Sequence, residues 1–180
     1  MDLWYTVAVK CPPVGVVLLA VVLIALGETS GAVMSQLRDP VQRYARARVA
    51  ANPTAHGLAG SAEYDTEVTA GAVFATEAGL SFFHTHAEGL GLIVLFVTSV
   101  AASVLPWRAA RSAAYGLVAA GGLFPLGYLV YSLAVLERGR DTGIGLAERW
   151  VLTPLGSAAL AGLAITVCAL AVAWWRGRPA

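Results

Sequence analysis

Residues 80–106, LSFFHTHAEGLGLIVLFVTSVAASVLP, decide the fold class. From Gly89 to Pro106 the stretch holds no charged side chain, and the whole exceeds the roughly 20 residues that carry an α-helix across a hydrocarbon layer. Trp107-Arg108 closes it with an aromatic and a cation, the pair that marks a membrane–water boundary. At the other end stand His84, His86 and Glu88. An ionisable side chain inside a span is costly and points to function or to a specific polar partner.

Working outward, three more stretches read the same way. A first span of about 13–34 begins with the apolar run Val14 to Gly27, too short by itself, so the polar continuation Glu28-Thr29-Ser30-Gly31-Ala32-Val33-Met34 must lie within it. A third covers about 111–136 and passes through Gly121-Gly122, Pro125 and Gly127. A fourth covers about 150–175, from Trp150 past Pro154 and Gly156 to the aromatic belt Trp174-Trp175-Arg176. The composition agrees, with 58% hydrophobic and 13% charged residues and a mean hydropathy of +0.70. A soluble domain is about 45–50% apolar. The expected fold is therefore all-α, an integral membrane four-helix bundle forming a single transmembrane domain over residues 1–180. The first apolar run is read as a retained span, because no clear small-residue cleavage site follows it.

Between the first two spans, over 38–79, the sequence predicts an interfacial helix and then a long loop. Asp39-Pro40 supplies an N-cap and a proline at the first helical position, and Val41, Tyr44, Ala45 and Val49 share a side opposite Arg43, Arg46 and Arg48. Residues 52–76 are rich in Gly, Ala, Thr and acids and have no long apolar run, and Glu77 reads as a capping acid for the second span. Small residues four apart, Gly116 with Ala120 and Ala158 with Gly162, are candidates for close helix contact.

The net charge of +1 arises from 12 basic and 11 acidic residues scattered between apolar stretches, so no basic face exists for nucleic acid. Cys11, just before the first span, and Cys168, within the last, are not expected to form a disulfide within the chain. Counting cations for an N-terminus in the cytoplasm puts Lys10, Arg108, Arg111, Arg176 and Arg178 inside against a larger number outside, contrary to the simple rule. The acidic character of the long loop turns the reading back to an internal N-terminus. The histidine-bearing face is then non-cytoplasmic, with a bacterial inner membrane as the expected location.

All three histidines, His56, His84 and His86, fall on that face. At 1.5 Å per residue Glu28 lies roughly 9 Å below Met34 and Glu88 roughly 6 Å below His84, so the two acids are level. His84 and His86 differ by about 200° around a helix and face opposite ways, whereas His84 and Glu88, four apart, share a face. His84, His86, Glu88, Glu28 and His56 form a candidate ligand set for zinc, iron or copper. Haem needs axial ligands from a slot between helices, here His84, His86 or Met34, with Gly31, Gly89 and Gly91 making room. A Cys-x-x-Cys-His motif does not occur in the sequence, so covalent haem attachment is excluded.

His84-Thr85-His86 followed by Gly89-Leu90-Gly91, with Gly122-Leu123-Phe124-Pro125-Leu126-Gly127 in the next helix, resembles a helix pair of the haem–copper oxidase core subunit and its small stand-alone relatives. In that family a His-x-His pair at the top of a helix ligates two haems on opposite sides. The chain departs from the family in lacking further intramembrane histidines, the copper ligands and most of the spans. The resemblance therefore implies haem b held by His84 or His86, without oxygen reduction. The functional expectation is an electron-transfer subunit that works with other membrane subunits or an electron-transfer protein in the lipid bilayer. The alternatives are a cofactor-free structural or assembly subunit, and a small transporter in which Glu28 and Glu88 relay protons or bind a cation.

Overall fold

The computed structural model describes residues 10–176, and the described residues form helices with no strand. Met1 and Arg178 lie outside the described residues. The elements are α1 (Val14–Gln36), α2 (Arg38–Ala51), α3 (Pro53–His56), α4 (Ala62–Val104), α5 (Arg108–Gly122), α6 (Leu126–Arg138), α7 (Arg140–Ala147) and α8 (Thr153–Arg176). Four continuous or nearly continuous stretches are long and apolar enough to cross a membrane: Val14–Gln36, Ala62–Val104, Arg108–Arg138 and Arg140–Arg176.

The length of α4 reorganises the picture drawn from hydropathy. Its 43 residues extend over about 64 Å, twice the thickness of a hydrocarbon layer. Counted back from Leu105, about 20 residues of helix reach Thr85. The remaining N-terminal turns rise beyond the apolar band and pack with α2, the end of α6 and α7 into a head. Its core is Ala45, Val49, Ala72, Val73, Ala75, Val135 and Leu136, flanked by Leu58, Tyr131 and Ile144. The long loop expected up to residue 79 is thus mostly helix. Its buried positions Ala72, Ala75, Thr76 and Gly79 recur at helical spacing, but they are too small to register as an apolar run.

Three further expectations change with it. Asp39 does not cap α2, which starts two residues earlier than expected, at Arg38 after Leu37, with no side-chain cap. Glu77 sits inside α4 and accepts hydrogen bonds from Arg38 Nε (3.2 Å) and Gln42 Nε2 (2.9 Å), tying α2 to α4 instead of capping. The apolar side of α2 is also divided, because Ala45 and Val49 enter the head core while Tyr44 stays exposed.

Two proline sites shape the other spans. Leu123–Pro125 tighten into a turn between α5 and α6, with Leu123, Phe124 and Leu126 each donating to a carbonyl three residues back at 3.0 Å. Pro125 has no N–H to continue the ladder. The polar stretch after Gly139 is helical, and α7 joins α8 through a turn of π-helix over Glu148–Leu152 just ahead of Pro154. The proline ring crowds the carbonyl four residues back, and a widened turn relieves it.

Packing in the apolar band runs through glycines. A Cβ on Gly121 would stand 2.5 Å from Ala159 Cα, and one on Gly162 would stand 2.6 Å from Val118 Cγ2, so α5 and α8 meet almost backbone to backbone. Gly116 faces open space, so of the small-residue pairs expected from sequence only the one containing Gly162 marks a contact. Cys11 and Cys168 are free, exposed thiols.

Candidate functional site

The polar layer is built where α1 crosses α4. A Cβ on Gly27 would lie 2.9 Å from Glu88 Cγ and 3.1 Å from the His84 carbonyl oxygen; one on Gly31 would lie 2.5 Å from His84 Cε1. Only glycine permits so close an approach at both positions, and together they hold the His84 ring between two backbones. On the antiparallel α4 the His84 side chain leans toward its own N-terminus, which carries the imidazole from the level of Gly27 to that of Gly31.

His84 Nδ1 donates to the Gly27 carbonyl at 2.9 Å. Because a carbonyl only accepts, the hydrogen of a neutral ring is on Nδ1 and Nε2 carries the lone pair. Glu88 Oε1 is 2.7 Å from the same Nδ1. The N–H is aimed at Gly27, however, and Oε1 remains buried without a hydrogen bond. The pair is thus a close contact with one carboxylate oxygen poorly satisfied, and both side chains are 31% exposed.

His86 faces the other side of α4, as about 200° of helical rotation requires. Its Nδ1 donates to the Phe82 carbonyl at 2.8 Å, so the same tautomer leaves Nε2 free. The ring lies 4.9 Å from Tyr128, 5.8 Å from Phe124 and 6.1 Å from Phe82 between ring centres. Phe82 remains 48% exposed, so this aromatic wall opens outward.

The other sequence-predicted residues do not join. Gly27 touches Glu88, so the depth assigned to Glu28 holds, but Glu28 itself lies on the exposed side of α1. Met34 is half-buried about one turn beyond Gly31. His56 is buried in the head, its Nε2 donating to the Leu136 carbonyl at 3.0 Å. Leu136 is eight residues, or about 12 Å, along α6 from Tyr128, which separates His56 from the polar layer. Among the described residues no three of His, Cys, Asp and Glu come together to hold a metal ion. The five-residue ligand set is therefore not assembled: sequence gave each residue a depth, and convergence also needs a shared direction.

Of the glycines expected to make room for a flat macrocycle, Gly31 is filled by His84 and Gly91 by Ile24 and the Ala20 carbonyl, while Gly89 faces open space. The four-residue spacing of Gly27 and Gly31 is itself a signal for close packing. The i, i+4 pairs Phe82 with His86 and Phe124 with Tyr128 likewise announce the aromatic wall. No protein-family model, curated protein or solved structure matches the chain.

Proposed function

We propose that the chain is an integral membrane subunit that binds haem b at the level of His84 and His86 and serves electron transfer within a larger complex. One observation carries this reading. Two imidazoles on opposite faces of α4 each tie Nδ1 to a main-chain carbonyl, which fixes ring orientation and leaves Nε2 with its lone pair, as iron ligation requires. The fit is better at His86. There Phe82, Phe124 and Tyr128 offer aromatic faces to a planar group, and the half-exposed ring leaves the outer wall to a neighbouring subunit. His84 is enclosed by Gly31 and shares its Nδ1 with Glu88, so it serves more naturally to orient and buffer charge. When bound, haem supplies an iron that accepts and releases one electron. The chain's own residues bind, orient and exclude water. In this reading the head projects on the non-cytoplasmic side of a bacterial inner membrane, where an electron-transfer partner docks.

The test is an absorption spectrum of the protein purified in mild detergent, oxidised and then dithionite-reduced. A Soret band that shifts on reduction, disappears in His86→Ala and persists in Glu28→Gln is the expected result. A colourless wild type overturns the reading.

The unsatisfied Glu88 Oε1 beside His84 favours a second reading, a proton-coupled transporter in which this pair takes up and releases the proton. Proteoliposomes would then show proton flux abolished by Glu88→Gln. Flux equal in variant and wild type would remove it.

A further inference from the structure

A cleft of about 620 Å³ opens in the head, between the end of α3, the first turns of α4 and the corner joining α6 to α7. That volume lies within the range of small-molecule sites, about 300–1,000 Å³. Charges of both signs line it: Arg138 and Arg140 from the corner, and Glu67 from α4 with Asp141 from α7. None of these four side chains makes a hydrogen bond or ion pair with another described residue. The neighbouring Glu137 is hydrogen-bonded to Arg48, and Arg138 acts on that carboxylate through its charge alone, with no hydrogen bond. Tyr64 and His56 complete the lining. With Nε2 of His56 committed to the Leu136 carbonyl, its remaining ring nitrogen is an acceptor.

The cleft is held in shape by a position only glycine can fill. Gly139 has φ +80° and ψ 162°, and a Cβ there would collide with the Ala55 carbonyl oxygen, so α3 is seated directly on the α6–α7 corner. Its place also narrows the choice of ligand. Arg138 is about 15 Å along α6 from Tyr128, and Glu67 about 27 Å along α4 from Thr85. Headgroups occupy only about 5–8 Å on each side of the hydrocarbon, so the cleft opens to water above them.

We propose that this cleft binds a small water-borne zwitterion of the amino-acid class, its carboxylate on Arg138 and Arg140 and its ammonium on Glu67 and Asp141. Guanidinium forks match a planar carboxylate, and an ammonium pairs with carboxylates. The site is independent of the polar layer.

The test is calorimetric titration of the full-length protein in detergent with glycine, L-glutamate and L-lysine, against acetate and ethylamine. The expected result is saturable binding of at least one amino acid, at least tenfold tighter than either single-ion control. Arg140→Gln and Glu67→Gln should each weaken it tenfold or more, with elution and melting profiles of the wild type because both side chains are exposed. Absence of saturable binding by all three amino acids, equal binding of acetate, or variants that bind as the wild type does would each overturn the proposal. So would competition by phosphatidylethanolamine in nanodiscs, which would make the ligand a lipid headgroup.

Discussion

In the apolar band the helices meet closely at glycines; in the head close glycine contacts at Gly79 and Gly143 are joined by side chains that reach across. Gly27, Gly31 and Gly91 bring α1 onto α4, and Gly121 and Gly162 bring α5 onto α8. In the head, Arg38 and Gln42 reach Glu77, Arg48 reaches Glu137, His56 reaches the Leu136 carbonyl, and Asp65 accepts the backbone N–H groups of Ala59 (2.8 Å) and Gly60 (2.9 Å). The contrast follows from the surroundings. In a bilayer, which these four helices are long and apolar enough to cross, burying leucine between helices would gain little, because lipid is as apolar as leucine, and close backbone contact would have to bring them together. Water rewards burial of Ala45, Val49 and Val135, and polar clasps then set the register.

The largest effect is expected where the head borrows the device of the band. Gly139→Val combines a backbone conformation closed to valine with a collision against Ala55, and should destabilise the head by about 3 kcal/mol or more. Limited proteolysis should then cut within 52–61 while the apolar band stays protected. Uniform cutting would mean that head and band unfold as one unit and that the comparison is too sharp.

Gly31→Leu tests the band. Overpacking should cost about 1–3 kcal/mol in denaturant or detergent unfolding and loosen α1 from α4 around His84. If stability is unchanged, the glycine contact is not what holds these helices. Next comes His56→Ala, which removes the shorter of two hydrogen bonds to the Leu136 carbonyl, leaving Asn52 Nδ2 at 3.5 Å, and should cost about 1 kcal/mol, read as faster amide exchange in α3 and the end of α6. The smallest effect belongs to Arg48→Ala. The Arg48–Glu137 pair is exposed, so its loss should move the unfolding midpoint only slightly, and salt should shrink the difference further. A larger, salt-insensitive loss would show that the clasp is part of the head core.

The site was legible in layers. His84 and Glu88 on one face of a helix, His86 on the other, and Glu28 at the same depth all follow from rise and rotation per residue. The Gly27–Gly31 spacing signals close packing, but small residues recur throughout the spans and nothing in one helix says which glycine another helix will fill. Sequence order puts His56 on the same side as the other histidines without giving its direction. Its partner is a main-chain carbonyl 80 residues away, which has no sequence signature.

The sequence by itself determined four apolar helices and the level at which their polar residues stand, because hydropathy and helical rise act residue by residue whatever the neighbours are. Only the tertiary structure decided that residues 62–79 are helix, that Glu28 turns outward, and that Arg138, Arg140, Glu67 and Asp141 surround one cleft. Those outcomes depend on which faces of distant helices meet, and close packing of those faces, not local preference, sets the answer.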